Sequence, residues 1–216
     1  MLIDLSHTIE DGMITYQGLP APHICDFLSR EDSREHYSPG VSFQIGKIEM
    51  VANTGTYIDV PFHRYEEGAD LSEVGLNQLV GLTGEFVKID GDVRAIGPEW
   101  FEGLEIKGKA LLIQTDWDRH WRTDRYYSGE HPFVTAEGAE LLLQLAPRLV
   151  GIDTYNIDDT GDPARPVHSL LLGAGILIIE HMTNLASIPA GPFTFTALPP
   201  KIRGMGSFPV RAYASV

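Results

Sequence analysis

A chain of 216 residues, 43% hydrophobic and 21% charged, has the make-up of an ordinary globular protein and can bury a core without disulfides or structural metal. Thirty acidic against sixteen basic residues leave a formal charge of −14, a field that repels phosphate backbones and anionic lipid, so nucleic acid and membrane surfaces are excluded as partners. The lone Cys25 excludes a disulfide framework and a cysteine zinc knuckle; with no basic export signal at the start of the sequence, the expected compartment is the cytoplasm.

In chain order, the hydrophobic pattern predicts many short strands and few helices. Residues 43–51 alternate apolar and polar side chains, and residues 84–90 carry Phe86, Val87 and Ile89. Short helices are expected at 98–102 and 167–172. The best helix covers 136–146, with Thr135 as N-cap, Glu137 in the first turn and Pro147 as stop. Its Leu141, Leu142 and Leu145 share a face suited to packing on a sheet. Residues 110–114, 149–152 and 175–179 are nearly continuous apolar runs, as in strands buried on both sheet faces. Residues 193–197 and 210–216 are the last strands, parted by Pro199, Pro200, Gly204 and Gly206. The longest uncharged apolar run, 170–179, is about half a membrane span. No repeat or linker divides the chain, so one α/β or α+β domain spanning 1–216 is expected.

Several motifs fail on inspection. The stretch 103–110 has phosphate-loop spacing but ends in Ala110, where a magnesium-binding hydroxyl is required. Gly173-Ala174-Gly175 lacks the third glycine of a dinucleotide fingerprint, and no G-x-S-x-G elbow exists. The aromatic and charged stretch Asp116-Trp117-Asp118-Arg119-His120-Trp121 reads either as a surface loop with amphipathic anchors or as a lid or dimer contact over a pocket.

Two regions carry chemistry. In Asn53-Thr54-Gly55-Thr56-Tyr57-Ile58-Asp59-Val60-Pro61-Phe62-His63, polar groups recur around a Gly-Thr turn. Farther on, His168 is followed by Glu180, which ends an apolar run and must find a cation, a metal or a proton. Asp59, His168 and Glu180 together would form a mixed His and carboxylate set that manganese, ferrous iron or zinc accepts. The competing reading is a Glu180 paired with Lys or Arg and a His168 satisfied within the core.

Further segments widen the pattern. Asp4-Leu5-Ser6-His7 and Tyr16-Gln17-Gly18-Leu19-Pro20 open the chain; His131-Pro132 and Gly151-Ile152-Asp153-Thr154 follow the aromatic stretch; Thr183-Asn184-Leu185 follows Glu180; Ala197-Leu198-Pro199-Pro200 and Pro209-Val210-Arg211-Ala212 close it. With these segments the chain resembles, nearly end to end, the cyclase family of metal-dependent hydrolases, which includes bacterial kynurenine formamidases and isatin hydrolases. That family's signature, H-x-G-T-H-x-D-x-P-x-H, has Asn53 and Tyr57 here in place of its two leading histidines. The resemblance implies a single α/β domain built on a curved, barrel-like β-sheet of the swivelling β/β/α type with a few helices packed outside, assembled as a homodimer or homotetramer. It implies Asp59, His168 and Glu180 as metal ligands and His63 as the catalytic histidine.

Loss of two imidazoles should empty one metal position, because Asn53 offers a neutral carbonyl and Tyr57 holds its proton up to pH about 10. One divalent ion at most, zinc or manganese, is then expected. In the enzyme reading, the ion and His63 hydrolyse an aryl formamide or similar amide or lactam, in the manner of tryptophan catabolism. Tyr57 donates to the oxyanion, and Asn53, Tyr16 and the loop around Trp117 contact a flat aromatic substrate. The alternatives are an altered, metal-free member that binds a small molecule or serves only an oligomer, and a metal-independent lyase or cyclase using Tyr57 and His63.

Overall fold

The continuous apolar runs form the centre of the fold because they can be buried on both sides. The computed structural model describes residues Met1–Val216. Its strands, in chain order, are β1 (Leu2–Asp4), β2 (His23–Leu28), β3 (Ile45–Glu49), β4 (Tyr57–Asp59), β5 (Leu82–Lys88), β6 (Ala95–Ile96) and β7 (Ala110–Gln114). There follow β8 (Phe133–Val134), β9 (Leu149–Ile152), β10 (Leu177–Glu180), β11 (Thr194–Leu198), β12 (Ser207–Pro209) and β13 (Arg211–Ser215). The α-helices are α1 (Arg30–Ser33), α2 (Ala136–Leu145) and α3 (Pro166–Gly173). No helix is long and apolar enough to cross a membrane.

Nine strands make one mixed sheet in the order β1-β13-β11-β5-β7-β9-β10-β4-β12. The central β5, β7, β9 and β10 run parallel, and antiparallel strands flank them on both sides. Strand β12 is one edge of this order, whereas β13 is next to the other edge, yet only Val210 separates them in the chain. The sheet must therefore curl until its edges approach, which gives the barrel-like curvature that the resemblance implied.

Alternation along each central strand sorts its side chains to the two faces. Ala110, Leu112, Leu149, Leu177 and Ile179 enter one apolar core with Ile58 and Phe195. Leu111, Ile113, Val150, Ile152 and Ile178 enter a second core covered by α2 and α3 through Leu142, Val167 and Leu171. Helix α2 starts where expected: the Thr135 hydroxyl accepts the Gly138 amide at 3.1 Å.

Three expectations are corrected. The alternating stretch 43–51 does form a strand over Ile45–Glu49, but every residue of it is exposed, and it pairs only with β2 as a separate ribbon. Residues 98–102 make a 3-10 turn, Pro98–Trp100, and not an α-helix. The helix expected at 167–172 begins at Pro166, whose missing amide hydrogen costs nothing in a first turn.

Candidate active site

Three short strands place the site. In the antiparallel ladder of β10 and β4, Ile178 faces Asp59 and Glu180 faces Tyr57; Asp59 in turn faces Ser207 of β12. Cross-strand partners share a face, so Tyr57, Asp59, Glu180 and Ser207 all stand on the side of the sheet that carries α3. Helix α3 brings His168 over them. The tightness of this corner is set by Gly206, because a Cβ there would lie 2.3 Å from the His63 backbone nitrogen.

Tyr16, Asn53, Tyr57, Asp59, His63, His168 and Glu180 all line one cavity of about 400 Å³, together with Arg64, Asn156 and Arg165. His168 Nε2 stands 3.5 Å from Asp59 Oδ2 and 3.6 Å from Glu180 Oε1. Its other ring nitrogen, Nδ1, binds Asp158 Oδ2 at 2.6 Å, which fixes the ring and aims Nε2 at the two acids. Asp158 is itself anchored by the Val167 and His168 amides at 2.8 and 3.1 Å. The ligand-type atoms that fall within 4.8 Å of one another belong to Asp59, His63 and His168. Glu180 approaches only His168 among these, because its oxygens are engaged elsewhere: Oε1 accepts the Ile157 amide at 2.6 Å and Oε2 accepts the Tyr57 hydroxyl at 2.5 Å.

Tyr57 therefore does not present a free hydroxyl to the cavity, which corrects its expected place as an oxyanion donor. Burial, and then the charges of Glu180 and Asp59, push its phenol well above the ordinary range, so it keeps its proton. Burial also raises the Glu180 carboxyl, with the His168 charge acting against it. For His168, burial disfavours the imidazolium, but Asp158, Asp59 and Glu180 outweigh it and the ring is raised to about 10.

His63 has a defined tautomer. The Ser207 hydroxyl donates to Asp59 Oδ1, since a carboxylate has no proton to give. Ser207 Oγ must then accept from His63 Nδ1–H, at 2.8 Å. This chain leaves Nε2 of His63 as a bare lone pair, on a side chain 36% exposed beside the cavity.

The donor set fits one divalent cation. Asp59 Oδ2 is buried with no hydrogen-bond partner, facing an oriented imidazole nitrogen. Three carboxylates, Asp59, Asp158 and Glu180, are almost wholly buried around a single imidazole, an excess of negative charge that a cation would offset. Imidazole with carboxylate oxygens suits zinc or manganese.

An aromatic cluster buttresses this wall. Trp117, expected to flank the substrate, is instead buried against Tyr126 and Tyr155, its indole nitrogen donating to the Tyr126 carbonyl at 3.1 Å. His7 stacks on Trp121 at 3.8 Å, and His181 packs on Tyr57 with ring centroids 5.2 Å apart. His7 Nε2, His131 Nδ1 and His181 Nε2 are buried without partners. Burial lowers His7 and His131 to about 4, and His181 well below its ordinary value.

Rings kept neutral in this way have a pH consequence. The unfolded chain takes up a proton near pH 6.5 and the folded His131 only near 4, so its contribution is present above about 6.5 and lost as the pH falls toward 4, by up to ~1.4 kcal/mol per pH unit. A His131→Gln substitution keeps a donor for the Asp158 carbonyl, which the ring reaches at 2.9 Å. The stability deficit of this variant against the parent, measured by denaturant unfolding, is expected to shrink by about 2 kcal/mol between pH 7 and pH 5.

Sequence reasoning missed Asp158, Ser207, Arg64 and Arg165. Asp158 left a signal, the acid-rich run Asn156-Ile157-Asp158-Asp159 after a buried strand. Ser207 left none.

The chain is similar to known proteins over most of its length. A family model described as "Putative cyclase" matches residues 3–159. A kynurenine formamidase of Bacillus anthracis is 27% identical over 212 residues, which is 97% of this chain and 95% of the relative. A solved structure described as a potential metal-dependent hydrolase with cyclase activity has a TM-score of 0.80 at 27% identity, covering 99% of this chain and 96% of the other. Isatin hydrolase A from Labrenzia aggregata shares the fold, with a TM-score of 0.83 at 22% identity over 99% and 93% of the two chains.

Proposed function

The chain belongs to the cyclase family, and from that membership we propose that it is a hydrolase of small amides that opens an aryl formamide or related lactam at its C–N bond. The relatives named kynurenine formamidase support C–N hydrolysis. The single observation that carries the metal-assisted form of this reading is the unpartnered, buried Asp59 Oδ2 facing the oriented His168 Nε2.

Asp59 and His168 would hold one zinc or manganese ion, with Glu180 as the third ligand through Oε1, which lies 3.6 Å from His168 Nε2. When bound, the ion supplies polarisation of the substrate carbonyl and a nucleophilic water at neutral pH. The bare Nε2 of His63 takes the proton of the attacking water and passes it to the leaving nitrogen, giving a carboxylate and an amine. The imidazolium formed meanwhile is stabilised through Ser207 by Asp59. Tyr57 holds Glu180 in place through its hydroxyl. Tyr16, edge-on to Tyr155 at 5.9 Å, offers a wall for a flat ring, and Asn53 lines the same cavity as a polar contact.

The enzyme is read as cytoplasmic and as a homodimer or homotetramer. Support for assembly comes from the β2-β3 ribbon, on which Phe27 is 75% exposed beside exposed Ile24, Ile45 and Ile48.

The reading is tested by assaying formanilide and a lactam with metal-loaded protein, before and after a chelator. Turnover that the chelator removes and zinc or manganese restores is the expected result. Turnover indifferent to chelation would transfer the chemistry to Tyr57 and His63 alone, and absence of both metal and turnover would leave a binding protein.

A further inference from the structure

The cavity that holds the acids also has a cationic wall. Arg64 follows His63, and Arg165 precedes His168 by three residues, so the same two segments that furnish the site furnish both cations. Arg64 donates to Ser169 Oγ at 3.2 Å and to the Ala164 carbonyl at 3.0 Å. Arg165 donates to Asn156 Oδ1 at 3.3 Å and to the carbonyls of Asp159 and Thr160 at 3.2 and 3.4 Å. Every acceptor is neutral. Neither guanidinium makes an ion pair, although the chain carries fourteen more acids than bases. Both are thus oriented without being neutralised, and each has N–H groups left over.

Arg165 is also held in the left-handed region, at φ 47°, where an L-residue is strained and a glycine would sit more easily. A long charged side chain at a strained position on a cavity wall, satisfied only by neutral carbonyls, is arranged for an anion.

We propose that Arg64 and Arg165 bind a carboxylate on the substrate, so that the preferred amides are those carrying an acid group apart from the bond to be cleaved. This rests on the hydrolase reading for the reaction, but the arginine pair can be tested without it. The acids on the cavity floor lie beyond ion-pair distance of either guanidinium, so they do not consume this charge. A neutral aryl formamide would leave both cations partly desolvated and unpaired, whereas a substrate carboxylate satisfies them.

The test compares formanilide with 2-, 3- and 4-formamidobenzoate, which keep the ring and move only the acid. At least one acid is expected to exceed formanilide about tenfold in kcat/KM. Arg64→Met should erase that advantage through KM, with the loss on the acid about tenfold larger than any loss on formanilide. Arg165→Met should do the same and Arg165→Lys should restore part of it, with thermal unfolding used to confirm that the 159–165 loop remains folded. No preference for any acid, or an equal loss on acid and neutral substrates, would overturn the proposal.

If no substrate is turned over, the hydrolase reading fails, and calorimetry with benzoate and its neutral counterpart, benzamide, still decides the arginines. Benzoate is expected to bind chelated protein about tenfold more tightly than benzamide, an advantage lost in Arg64→Met and weakened by salt. Equal binding of the two would overturn it.

Discussion

Replacing Asp59 by asparagine is expected to lower kcat/KM on an aryl formamide by about 10³- to 10⁴-fold, the scale on which a carboxylate-to-amide change beside a catalytic histidine acts. Asp59 works from both oxygens. Oδ1 accepts from Ser207, which fixes His63 with its proton on Nδ1, and Oδ2 faces His168 without a partner. An amide cannot serve both. If its NH2 group faces Ser207, the chain of hydrogen bonds reverses and His63 loses the bare Nε2 that takes the proton. If it faces His168, a donor replaces the anionic oxygen at the cation position. The substitution is isosteric, so circular dichroism and the melting temperature should report a folded protein while bound metal falls. Ser207→Ala breaks only the relay to His63 and should cost about 10- to 100-fold, as do outer-shell changes that leave the ligands in place. Metal content should then stay at the parental level. Comparable activity in Asp59→Asn and the parent would remove Asp59 from the chemistry.

The second large effect is a gain. Asn53→His combined with Tyr57→His is expected to raise bound divalent metal from about one to about two ions per chain, because it supplies the neutral imidazoles that suit such ions. The structural reason is the Tyr57 hydroxyl, which donates to Glu180 Oε2 at an oxygen–oxygen distance of 2.5 Å and keeps its proton through burial. Removing the phenol frees that oxygen, and the two imidazoles would supply a second set of donors. Elemental analysis of parent and variant, purified from zinc- or manganese-supplemented cells, measures the change. A variant that still holds one ion would mean that the pocket has been rebuilt around Tyr57 in more than its ligands.

Much of the framework was legible in the sequence, and the reason is burial. Residues 110–114 and 149–152 form strands with the expected limits because apolar side chains on both faces leave no other conformation as favourable. Helix α2 was legible because Thr135 and Pro147 mark its ends. The ribbon strand Ile45–Glu49 shows the opposite case: its alternation is real, but the face it creates covers nothing within the chain. Strands β4 and β12, three residues each, are too short to carry a period, yet their register sets Tyr57 against Glu180 and Ser207 against Asp59.

The site followed the same division. Asp59, His63, His168 and Glu180 could be named from motif and spacing, and the fold gathers them on one wall. What they touch could not be named. The Tyr57 hydroxyl lands on Glu180 and Ser207 comes between His63 and Asp59 from ladders far apart in sequence, while Asp158 reaches behind His168 from a loop ten residues upstream. Trp117 was misplaced for a similar reason. A Trp in a charged stretch reads as a surface anchor, but Tyr126, nine residues on, and Tyr155, from beyond the next helix and strand, bury it.

The central claim is that Asp59 and His168 grip one divalent cation in this cavity, and anomalous diffraction from crystals soaked in manganese tests it most directly. One strong peak between Asp59 Oδ2 and His168 Nε2, absent from crystals of Asp59→Asn, is the predicted result. A cavity without anomalous signal at saturating manganese, or a peak bound only by surface acids away from His168, would contradict it.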